Sequence, residues 1–177
     1  MRKYQGPLVK NMQEPSPWIG RFAHLVPPGG AVLDLACGSG RHSQFFLVRG
    51  HPVTAVDRHV AALEPHDGLE IMQCDLEDGS PWILENRQFS AVMVVNYLYR
   101  PLLPRLVEAV APGGLLLYDT FAIGNEAFGR PRNPEFLLRP GELPAAVEGE
   151  LVVLDYFHGR IESPEPAIRQ QICARRT

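Results

Sequence analysis

The chain has 177 residues, 45% of them apolar and 21% charged, with a net charge of −3 from 20 acidic and 17 basic residues. That length is enough for a single domain, residues 1–177, with a core that needs no covalent staples. The acidic balance supplies no basic field for nucleic-acid phosphates, so no nucleic-acid partner is expected. Cys37, Cys74 and Cys173 make no CxxC spacing, which speaks against a disulfide framework or zinc ribbon and suits a reducing, cytoplasmic setting. The opening "MRKYQGPLVK" does not resemble a signal peptide, and no run approaches the roughly 18 apolar residues of a membrane helix.

The apolar segments alternate in type along the chain. "WIGRFAHLV" (18–26) has helical spacing at Trp18, Phe22 and Leu25 and stops at "PPGG". "AVLDLAC" (31–37) reads as a strand, and "RHSQFFLVR" (41–49) as a helix closed by Gly50. "PVTAVD" (52–57) is a β-branched strand, and "VAALEPH" suggests a short helix stopped near Pro65. Strands follow at "LEIMQCD" (69–75) and "SAVMVVN" (90–96), then a helix in "RPLLPRLVEAVAPGG" (100–114) and a strand in "LLLYDTF" (115–121). A long Pro/Gly-rich stretch at 122–144 carries a short helix at "PGELPAAV". The tail pieces "LVVLDYFHGRI" (151–161) and "AIRQQICARRT" (167–177) form an antiparallel hairpin across "ESPEP".

Strand and helix in alternation give an α/β fold, a doubly wound and mostly parallel sheet finished by that hairpin. Ligands of such sheets bind at the carboxyl ends of the strands. The first four strands carry polar groups there: Asp34 within the first, then Asp57, Asp75 and Asn96.

Gly38 and Gly40 follow the first strand and open the next helix, which lets a ligand approach the backbone. A dinucleotide fingerprint would need a third glycine, and Ser43 follows instead. Asp57, with Arg58 beside it, has two acceptor oxygens for a pair of ribose hydroxyls, or it caps a turn. Asp75 could take an adenine amino group with Leu76 covering the ring, or serve as a turn residue.

At these residues the chain resembles the class I S-adenosylmethionine-dependent methyltransferases. "VLDLACGSGR", "VTAVD", "CDLED", "VVNYLY" and "APGGLLLYDTF" resemble their motifs in order, covering residues 18–121, and the tail hairpin fits their last two strands. Ala36 departs from the glycine usual at that place. The resemblance implies a Rossmann-like seven-stranded sheet and S-adenosylmethionine as cofactor. It also implies that Asp34 and the backbone of Ala36, Gly38 and Gly40 hold the methionine end. Asp57 would take the ribose, Asp75 and Leu76 the adenine, and Asn96 the methyl-bearing sulfur through its backbone. A sulfonium nucleotide is cationic and carries no phosphate, so an acid beside the loop is welcome.

Methyl transfer from an activated donor needs mainly alignment, which can supply about 7–11 kcal/mol, so no side chain is compelled to be catalytic. Tyr97 and Tyr99 could face the sulfonium or orient an acceptor, or simply pack in the core. His42 could be a base, though a solvent-facing residue in the first helical turn is the simpler expectation. His24, His51, His59, His66 and His158 show no metal spacing and read as surface or loop residues, and Cys37 as a small packing residue. Tyr4 and Trp18 could close the pocket, with Trp18 as helix core the alternative. In 122–144, "NPEFLLRPGEL" resembles the tellurite-resistance-type branch of small methyltransferases. Its Arg130, Arg132 and Arg139 could attract an anionic small-molecule acceptor as part of a lid, or the stretch is a solvated loop. The competing functions are a non-catalytic module binding S-adenosylmethionine or S-adenosylhomocysteine, a nicotinamide oxidoreductase, and a nucleic-acid methyltransferase. The last would carry a D/N-P-P-Y/F motif where this chain has "NYLY".

Overall fold

The computed structural model describes residues 14–177, so Tyr4 lies outside the described residues. Seven strands form one sheet: β1 (Val32–Leu35), β2 (Val53–Asp57), β3 (Leu69–Gln73), β4 (Phe89–Val95), β5 (Val110–Phe121), β6 (Val152–Ile161) and β7 (Ala167–Arg175). Their order is β3-β2-β1-β4-β5-β7-β6. The first five pair in parallel, while β7 runs antiparallel between β5 and β6. The expected sheet and its terminal hairpin are both present.

Helices α1 (Pro17–Phe22), α2 (Arg41–Leu47), α3 (Leu103–Glu108) and α4 (Glu142–Val147) cover the two faces. The central strands are apolar on both sides, and their period of two deals side chains alternately to two cores. Leu33, Leu35, Val92, Val94, Leu116 and Tyr118 join one core, which α3 and α4 complete with Leu106, Val107, Leu143 and Val147. Val32, Ala91, Met93, Leu115 and Leu117 join the other, with Trp18, Ile19 and Phe22 of α1 and Phe45 and Phe46 of α2. Trp18 is therefore core, and its indole nitrogen donates to the Ile172 carbonyl.

Three local expectations differ. No helix forms in "VAALEPH"; the segment is a turn, because Pro65 lacks a donor and leaves too few residues to nucleate one. The helix before β5 stops at Glu108, and Val110 already pairs with Phe89. "APGG" is then accommodated as a bulge before Leu115 resumes pairing with Ala91. His51 is buried, with Nδ1 3.0 Å from the Gly30 carbonyl and the ring edge-on to Phe46.

The bulge depends on Gly114. A Cβ there would come within 2.8 Å of the Phe89 carbonyl oxygen and 2.9 Å of the Ala111 oxygen, both backbone atoms that cannot swing aside. Gly114→Ala is expected to lower unfolding stability by about 1–3 kcal/mol, read from the denaturant midpoint. A variant as stable as the wild type would show that the bulge relaxes freely.

Candidate ligand-binding site

β1 lies between β2 and β4, so the chain crosses the sheet in opposite directions from it, and a crevice opens at the strands' carboxyl ends. The turn after β1 is tight: Ala36, Gly38 and Gly40 have φ of +54°, +55° and +77°. Ala36 therefore adopts the left-handed conformation that glycine takes without cost and that strains an alanine by about 1–2 kcal/mol. Asp57 at the end of β2 fastens the loop. One carboxylate oxygen accepts the Gly38 N–H at 2.9 Å and the other the His59 N–H at 2.9 Å.

A cavity of about 390 Å³ opens beside this loop. Ala36, Asp57, Arg58, Asp75, Leu76 and Asn96, six of the nine ligand-binding residues expected from the sequence, line it together. Asp75 stands two residues beyond β3 and holds a turn, accepting the Glu77 N–H at 3.0 Å, so its turn role and its place at the cavity coexist. The far wall consists of Tyr97, Leu98, Thr120 and Phe121, with Pro131 and Phe136 from the 122–144 stretch. Arg130, Arg132 and Arg139 are not among the lining residues. That stretch is fastened from below. Arg100 pairs with Glu142 at 2.6 Å and donates to the carbonyls of Glu135 at 2.7 Å and Leu137 at 2.8 Å.

Asp34, Gly38 and Gly40 do not line the cavity. Asp34 is buried in β1 and accepts the Ser43 hydroxyl at 2.6 Å, so it braces the start of α2 beneath the loop. Burial pushes its carboxyl up to about 7, against the opposing pull of the Ser43 hydrogen bond.

Of the catalytic candidates, only Tyr97 lines the cavity, and its hydroxyl is buried with no geometric hydrogen-bond partner among the described residues. Burial, with the Glu77 charge next, holds that phenol well above its ordinary range. Tyr99 lines a neighbouring cavity of about 290 Å³ with Trp82 and Leu102. His42 is neither solvent-facing nor placed as a base. It is buried, its Nε2 accepts the Ser16 N–H at 3.0 Å, and desolvation lowers its ring to about 4. Cys37 is buried and pushed up to about 12 by desolvation, as suits a packing residue. No cluster of metal-ligating side chains occurs among the described residues.

Sequence reasoning missed a buried polar chain behind the cavity. Ser16 donates to one oxygen of Asp119 at 2.5 Å, and Arg169 donates to the other at 2.6 Å. The same guanidinium reaches the Asn96 side-chain oxygen at 2.6 Å. These residues lie on α1's cap, β5, β7 and the end of β4, and no local spacing could have joined them.

Residues 19–80 match the family model of the tellurite resistance protein TehB. No curated protein matches the chain by sequence. Among solved structures, TehB from Haemophilus influenzae superposes with a TM-score of 0.70 at 19% identity, over 90% of this chain and 61% of that one. This chain thus spans less than two thirds of that protein's length. A TehB-like S-adenosylmethionine-dependent methyltransferase from Corynebacterium glutamicum gives 0.65 at 15% identity, over 90% and 87%. The 1,6-didemethyltoxoflavin-N1-methyltransferase of Burkholderia thailandensis, solved with bound 1,6-didemethyltoxoflavin and S-adenosylhomocysteine, gives 0.64 at 21% identity, over 92% and 77%. The fold is that of the S-adenosylmethionine-dependent methyltransferases, and the resemblance seen in the motifs is matched by the family model over the loop-bearing part of the chain.

Asp34 gives the site a pH signature. Its folded-state pKa is raised from 3.8 to about 7, so the folded protein binds the proton more tightly than the unfolded chain. Stability from this group is therefore present below pH 4 and is lost as pH rises towards 7, by at most about 1.4 kcal/mol per pH unit. Asp34→Asn should gain stability relative to the wild type across that window, measured by denaturation at pH 4, 5.5 and 7. Parallel curves for the two proteins would mean that Asp34 ionises without penalty.

Proposed function

We propose that the protein binds S-adenosylmethionine in this cavity and transfers its methyl group to a small-molecule acceptor. The observation that carries the reading is the convergence of Ala36, Asp57, Asp75, Leu76 and Asn96, contributed by four successive parallel strands, on one cavity. When bound, the cofactor supplies a methyl group already activated on a sulfonium.

The residues fit such a ligand. Asp57 would accept from the ribose hydroxyls through lone pairs left over from Gly38 and His59. Asp75 and Leu76 would meet the adenine, and Ala36, the part of the loop that lines the cavity, the methionine end. Among the described residues, three carboxylates, Asp57, Asp75 and Glu77, line the cavity against one cation, Arg58, a balance that favours a cationic nucleotide over a pyrophosphate.

The catalytic reading rests on the far wall. Thr120, Phe121, Pro131 and Phe136 extend the same cavity beyond the nucleotide residues, leaving room for an acceptor to be aligned. With His42 neutral and turned to Ser16, no resident base is required, and positioning carries the rate. The acceptor would be small, and the aromatic lining rather than the loop arginines would enclose it.

Calorimetric titration with S-adenosylmethionine, S-adenosylhomocysteine and NAD tests the cofactor. Binding of both sulfur nucleotides without NAD is the expected result, and binding of NAD alone would overturn the reading. Asp57→Ala should weaken the sulfur nucleotides by about 1–3 kcal/mol, since it removes the ribose acceptor and frees the Gly38 amide. Unchanged affinity would take Asp57 out of the site.

A further inference from the structure

Asn96 is exposed on the cavity in the left-handed region, φ +57°, immediately after β4. Two bonds hold it. Its N–H donates to the Asp119 carbonyl at 2.9 Å, and its side-chain oxygen accepts from Arg169 at 2.6 Å. Arg169 is itself buried, 7% exposed, and clamped by the Asp119 carboxylate at 2.6 Å and the Asp119 carbonyl at 3.1 Å. Its guanidinium carbon also lies 4.4 Å from the ring centroid of Phe121, another wall of the cavity.

A guanidinium has only N–H donors, so the Asn96 amide can face it solely through oxygen. The Asn96 amide nitrogen has no partner among the described residues. Resting on the S-adenosylmethionine reading, we propose that Arg169 is a positioning residue. It fixes Asn96 as a hydrogen-bond donor to the bound ligand and supports Phe121 from behind. The ligand group lodged against Asn96 is then an acceptor of hydrogen bonds. The oxygen is held on Arg169, so the two N–H donors are the groups Asn96 leaves free to face the ligand.

The test is calorimetric titration of S-adenosylhomocysteine into the wild type, Asn96→Asp, Arg169→Lys and Ser16→Ala, with thermal unfolding of each. Asn96→Asp keeps an oxygen for Arg169 but replaces the two N–H donors with a second, anionic acceptor. It should melt near the wild type yet bind at least about tenfold more weakly. Arg169→Lys cannot span Asp119 and Asn96 in one planar fork, so it too should lose about tenfold. Ser16→Ala removes the other bond to the Asp119 carboxylate, on the side away from Asn96, and should lower the melting temperature while keeping affinity within about twofold. Wild-type or tighter binding by Asn96→Asp overturns the donor assignment. An Arg169→Lys protein that melts lower but binds normally reduces Arg169 to a structural ion pair. Should Arg169→Lys fail to fold, Asn96→Asp decides alone. A wild type that binds neither S-adenosylmethionine nor S-adenosylhomocysteine overturns the functional reading and this inference together, a result distinct from normal wild-type binding with unaffected variants.

Discussion

The placement of β1 between two parallel neighbours is the constraint on which the rest of this molecule depends. Because β2 and β4 flank β1 in register, from Val32 beside Val53 and Ala91 to Leu35 beside Val56 and Val94, their carboxyl ends finish on one rim. The chain runs from β1 outward to β2 and β3, then crosses back to β4 on the other side of β1, and the crevice opens where the order reverses. The polar groups that line the cavity lie at strand ends or within a few residues beyond them. The apolar strands between them, buried on both faces, make that arrangement rigid.

Rigidity at the rim comes from hydrogen bonds that cross the sheet. Asp57 ties β2 to the loop after β1, and Asp34 ties β1 to the first turn of α2 through Ser43. Asp119 and Arg169 tie β5 to β7 and, through Asn96, to β4. With their side chains 4% and 8% exposed, Asp119 and Arg169 form an ion pair whose desolvation cost is offset only by the full set of bonds each makes. A pair of this kind contributes definition more than net stability, and the definition falls on the two residues at the junction of the cavity's ends, Asn96 and Phe121.

What the sequence disclosed was whatever depends on local period and order. The alternation of β-branched strands with helical spacing yielded the sheet, and the motif order yielded six cavity residues. The bulge in "APGG" was hidden because Pro and Gly ordinarily end helices, and only the long-range pairing of Val110 with Phe89 shows that the strand has already begun. His42 looked like a surface residue because the first turn of a helix is usually wet. Its burial follows from Ser16 packing over it, 26 positions earlier in the chain. Arg169 was one of several tail arginines in sequence. Its role exists only because the antiparallel hairpin sets it beside Phe121 and Asp119, 50 residues away from the latter.

The distribution of charge bears on the proposed ligand chemistry. A pyrophosphate-binding loop of this fold presents its amides and a helix start to the anion. Here Asp34 lies directly beneath the loop and Asp57 fastens its middle, so the amide-rich turn is backed by acids. Burial raises the Asp34 carboxyl to about 7, so its charge near neutral pH responds to what binds above the turn. A cationic ligand above the turn would favour its carboxylate, whereas an anionic one would favour the protonated form. Ala36, held left-handed at φ +54°, lines the same cavity, so the strain it carries lies at the cavity wall and not in the core.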